Sequence, residues 1–161
     1  MVFNDAKKDD LKGEEKHLEV LEKEYEKIVK QEDKVSKEIM SKGRDIEKEK
    51  NDIEIDKSVL DEVNDELATQ RSNLNALSAN TPSEVRKNTE KEVKKQESKR
   101  DKLSKSIDKS TSKIYEYEKD IRDLEYELDK LKQDEKFAMD KILTQRKVVQ
   151  DLKDQVYELK K

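Results

Sequence analysis

The side chains able to do chemistry are few in kind and scattered along the chain. His17 is the single histidine. General acid–base or metal work by an imidazole needs convergent partners, and on a helix His17 has only Glu14 and Leu21 beside it, so it reads as a solvated residue flanking a helical seam. There is no cysteine, which removes thiolate nucleophiles, disulfides and cysteine-held metal from consideration. Carboxylates abound, but their chemistry requires a concave site that excludes water, and nothing in their spacing builds one. Gly13 and Gly43 stand alone inside helical pattern, so no glycine-rich phosphate loop exists. These residues predict no enzyme activity, no catalytic residue, no cofactor, no metal and no small-molecule substrate.

Two charge runs remain. Residues 86–113 carry 11 basic and 5 acidic side chains, against 3 and 7 in residues 50–77. The run has no interleaved aromatics for stacking on bases, so charge matching to the acidic segment is favoured over nucleic acid as its role. The acidic run 116–129 reads as a solvated face, with a docking surface for a basic partner as the alternative.

The elements that must position these groups follow from composition and period. Charged residues make up 48% of the 161 and hydrophobic residues 30%, too little apolar bulk for a thick core. That leaves disorder or long helices that each bury a narrow stripe. Two glycines and one proline favour helix. Every seventh residue from Leu11 reads Leu11, Leu18, Tyr25, Glu32, Ile39, Ile46, Ile53, Leu60, Leu67, Leu74, apolar at nine of ten positions. The companion series from Glu14 includes Leu21, Ile28, Val35, Val63 and Leu77. These are a and d positions of a coiled-coil seam, and a strict seven-residue repeat implies a left-handed supercoil. A second frame starts at Arg86, with Val93, Ile107, Ile114, Ile121, Leu128, Ile142, Val149 and Val156 at a, and Leu103, Tyr117, Leu124, Leu131, Ala138 and Leu152 at d.

Between the frames lies the only proline, Pro82. Thr81-Pro82-Ser83-Glu84 has the form of a helix start, with Thr81 as N-cap and Glu84 closing a capping box, and Asn80 suits a left-handed helix end. The chain therefore predicts an all-α fold, a long antiparallel two-helix coiled-coil hairpin. It forms one unit over 1–161, with helices at about 5–78 and about 82–160 and a turn at 79–81. A further dimerised hairpin, or a swapped rod, is the alternative architecture.

Register follows from pairing residues whose numbers add to 163. All 20 layers from Leu77/Arg86 to Leu11/Leu152 then hold at least one apolar residue, and seven are apolar on both sides. Flanking ion pairs expected in this register are Arg71–Glu90, Glu66–Lys99, Asp52–Lys113, Glu24–Lys141 and Glu15–Arg146. Asp45 is set against Asp120, and Glu38 against Glu127. A one-heptad slip would set Glu66 against Glu92.

No motif identifies a family. In shape alone such a hairpin resembles the arms of chromosome-organising ATPases, the stalk of dynein and the arm of seryl-tRNA synthetase. The resulting expectation is a structural spacer or scaffold mediating protein–protein interaction. The alternatives are an arm of a nucleic-acid-associated protein or a helical appendage of a larger enzyme. Partners are expected to be another protein or a second copy docking through helices, with nucleic acid disfavoured. No apolar run approaches the roughly 20 residues of a membrane span, so no membrane is expected and the default location is intracellular, cytoplasmic or nuclear. Lys160-Lys161 ends in mid-pattern, as a segment of a longer protein would. Off-seam apolar residues cluster at Val20, Val29, Phe137, Met139, Leu143 and Val148, the candidate partner-binding surface.

Overall fold

A seven-residue apolar stripe cannot be hidden by one helix, so each helix needs another to cover it. The computed structural model describes residues 2–160, with side chains described for 5–158. It folds as two helices, α1 at Val2–Asn75 and α2 at Ser83–Lys160, packed as an antiparallel hairpin. Every a and d position from 11 to 77 and from 86 to 156 is buried or half-buried. The heptad reading thus locates the core along its whole length.

Contacts divide the chain into two units. One comprises Met1–Met40 with Arg122–Lys161, and its core is Leu21, Val35, Ile142, Val149 and Val156. Its two most buried side chains, Ile142 (1% exposed) and Val35 (2%), both belong to layers expected to be apolar on both sides. The other unit comprises Ser41–Ile121 and buries Ile46, Val63, Leu67 and Val93. Of these, Val63, Leu67 and Val93 lie in layers with a polar partner. The stems of Arg100, Gln96 and Gln70 can cover them; the Gln70 side-chain oxygen stays buried without a hydrogen-bond partner.

The cross-helix pairs support the 163 register. They run from Lys7–Gln155 and Glu14–Gln145 in the first unit to Lys42–Asp120, Glu49–Lys113 and Asp56–Ser106 in the second. Some polar seam residues find partners across the interface: Gln145 donates through Nε2 to the Glu14 backbone carbonyl at 3.0 Å and also to its carboxylate. Ser106 donates to Asp56 at 2.8 Å.

The chain reversal departs from expectation. α1 ends at Asn75, not near 78, so the reversal covers 76–82. Asn80 is not left-handed, since no described residue has a positive φ. The Thr81 hydroxyl pairs with that of Ser78 at 3.3 Å, so the expected capping box does not form. Two other interactions replace these devices. Leu77 N–H bonds back to the Leu74 carbonyl, tightening the helix end, and the Arg86 guanidinium donates to the Ser78 carbonyl at 3.1 Å. The same Ser78 carbonyl also accepts from the Thr81 N–H at 3.1 Å, so a cation from α2 and a local backbone bond together brace the reversal. The first bond of α2 runs from Arg86 N–H to the Pro82 carbonyl.

Candidate functional site

Of the five expected flanking ion pairs, Glu66–Lys99 and Glu24–Lys141 do not form among the described residues, and the other three bases pair with different acids. Arg71 lies 3.1 Å from Glu97 rather than Glu90, Arg146 lies 3.9 Å from Glu22 rather than Glu15, and Lys113 lies 3.7 Å from Glu49 rather than Asp52. The cause is positional. For the two arginines, an e residue of an antiparallel pair faces two e residues one heptad apart, and a long guanidinium reaches either; Lys113, at g, instead reaches the seam residue Glu49. Asp120 is relieved of repulsion by Lys42, which sits 3.4 Å from it and 5.3 Å from the centroid of the Tyr117 ring.

The six apolar candidates do not form one surface. At 3.6 residues per turn, Phe137 and Val148 lie on one face of α2, whereas Met139 and Leu143 lie on another. On α1, Val20 and Val29 are nine residues apart and point in opposite directions. The first face carries Val20, Phe137 and Val148 at c and g positions. The second carries Val29, Met139 and Leu143 at e and b positions. Five of the six are exposed and Met139 is half-buried.

The first face shapes a groove around Phe137. Phe137, Lys141 and Thr144 follow one another at i, i+4 and i+7 along α2, opposite His17, Leu21 and Glu24 of α1. They line an open groove of about 630 Å³. A second groove on the other side of Phe137 shares Glu24 and Lys141 with it and adds Ile28, Asp134 and Ala138. The Phe137 ring stands between the two, 64% exposed. The seam residues Leu21, Ile28 and Ala138, with Gln145, form the floor, and His17, Thr144, Lys141 and acids form the rim. An aromatic knob flanked by two apolar hollows can receive a ridge of side chains from another helix. Sequence reading missed that His17 and Thr144 border this groove; the g and c spacing that places them beside Phe137 was available. It also passed over Met40, Ile55, Val59 and Val85, which are exposed outside the candidate cluster.

The polar seam of the same unit holds a perturbed carboxylate. Tyr25 donates its hydroxyl to Glu135 at 3.2 Å, which raises the phenol's pKa above its ordinary value. Glu32 keeps one carboxylate oxygen out of solvent without a hydrogen-bond partner. Burial, and then the neighbouring Glu135, raise its pKa, against a smaller opposing pull from Lys132.

No helix among the described residues is long and apolar enough to cross a membrane. The chain matches no protein-family model, no curated protein and no solved structure at a significant level.

Proposed function

We propose that this chain is a non-catalytic structural spacer or scaffold whose helical surface binds another protein, with the Phe137 face as the contact. The observation that carries this reading is an exposed aromatic ring set between two apolar-floored grooves on a surface otherwise rich in charge. Fully covering such a ring would favour association by roughly 1.5–3 kcal/mol, enough to make Phe137 the anchor of a modest interface. The rim charges Glu24, Asp134 and Lys141 would then set the partner's orientation.

Because the two apolar faces are separate, single substitutions tell them apart. Phe137→Glu is expected to weaken self-association or capture of a protein partner, as read by sedimentation and by cross-linking in cell extract. Leu143→Glu, on the other face, should leave association intact, and neither should change helicity by circular dichroism. Equal loss from both variants, or loss only from Leu143→Glu, rules out the Phe137 face.

A further inference from the structure

Charge matching accounts for little of the basic run. Arg100 pairs only with its neighbour Asp101, and Lys113 with Glu49. Lys91, Lys95, Lys102, Lys105 and Lys109 are exposed and form no ion pair or hydrogen bond with any described residue. Their positions explain this. All five occupy c and f sites, which alternate at i+4 and i+3 into one ridge on the outward side of α2, away from the seam. Ser98 fills the one gap, Asn88 and Ser112 extend the ridge, and Glu84 and Glu116 close it at either end. From Lys91 to Lys109 it runs about 27 Å at 1.5 Å per residue. The acids of α1 lie on its seam side: Glu62 and Glu66 border a groove with Lys102, and Asp52 and Asp56 border one with Lys109, all beyond ion-pair distance.

The composition of the ridge selects its partner. It contains lysine, serine and asparagine and no apolar side chain, so it lacks the aromatic, arginine or aliphatic anchors of a protein interface. The same lack argues against insertion into a membrane surface. With no aromatic ring it offers single-stranded bases nothing to stack on, and with no arginine it has no fork to read base edges. Lysine with serine and asparagine is a set that contacts phosphates. The chain's net charge of −4 does not cancel the ridge, because charges beyond about 10 Å are screened at ordinary salt. We infer that the Lys91–Lys109 ridge of α2 docks double-stranded nucleic acid through its phosphates, without reading sequence. This inference stands apart from the Phe137 face and survives its failure.

The test is fluorescence anisotropy of the full chain with a mixed-sequence DNA duplex of about 30 base pairs at a series of salt concentrations. Five lysine contacts predict a slope of log K against log salt near −4.5, hence about 500-fold weaker binding at 200 than at 50 mM. Replacing Lys91, Lys95, Lys102, Lys105 and Lys109 together with Gln should abolish binding at low salt. Replacing Lys12, Lys16, Lys23, Lys27 and Lys34 with Gln should leave it within about twofold, while both variants keep wild-type helicity by circular dichroism. No duplex binding at 50 mM salt overturns the proposal, as does equal loss in the two variants. Tighter binding of single strands, polyglutamate or phosphatidylserine vesicles than of duplex overturns it too, by assigning the ridge another partner.

Discussion

At the scale of single residues, two features of α1 carry measurable consequences. Gly13 and Gly43 sit inside α1 where an added Cβ meets nothing within 4 Å. Neither has a positive φ, so alanine fits both. Gly43→Ala, and separately Gly13→Ala, should each raise stability by about 0.4–1 kcal/mol in urea unfolding, mainly by narrowing the unfolded ensemble. The second feature is Glu32. Its folded-state pKa is raised, so the unfolded chain loses this proton at lower pH than the native one. The associated stabilisation is present below the ordinary value of 4.5 and is lost as pH rises through the folded-state value. Glu32→Gln holds the group neutral at every pH. It should raise the melting temperature at pH 7 and flatten the fall in melting temperature on going upward from pH 4.5. Sequence spacing placed Glu32 and Glu135 at a positions. The closeness of their carboxylates depends on rotamers of two facing helices, which no count along one chain gives.

At the scale of elements, apolar spacing sufficed for the two helices and their register, because a residue at a or d has no other way to leave water. Helix ends and ion pairs were less legible. Local capping preferences at Thr81 and Asn80 predict the turn, but Arg86, eight residues from Ser78, braces the reversal through a contact those preferences do not contain. Arg86→Met keeps the aliphatic stem over the seam and removes only that donor. It should cost about 1 kcal/mol in chemical unfolding, typical of a partly exposed charge-assisted hydrogen bond. Thr81→Ala, aimed at the capping box that does not form, should cost less than Arg86→Met. The reverse order would restore the local cap as the stop signal. The candidate surface was half legible for a related reason: off-seam apolar residues are visible in sequence, but grouping them by nearness along the chain merged two faces that helical rotation separates. The c and f placement of the lysine ridge is legible in the heptad frame, whereas its lack of ion pairs depends on how far the facing acids of α1 lie from it.

For the molecule as a whole, the seam joins two helices of one chain, which predicts that folding through the seam alone is unimolecular. A unimolecular transition has a melting temperature independent of protein concentration, whereas association that favours the native state raises it with concentration. Thirteen of the 20 expected layers contain a polar residue, which leaves room for added stability from a partner. Comparing melts at about 1 and about 100 μM therefore separates the seam from any assembly built on it. The Phe137→Glu variant should melt cooperatively from a highly helical state at the same temperature at both concentrations. A concentration-dependent rise confined to the wild-type chain would assign self-association to the Phe137 face. If the variant's melting temperature also climbs with concentration, the copies meet elsewhere, and the partner for Phe137 must be sought outside this chain.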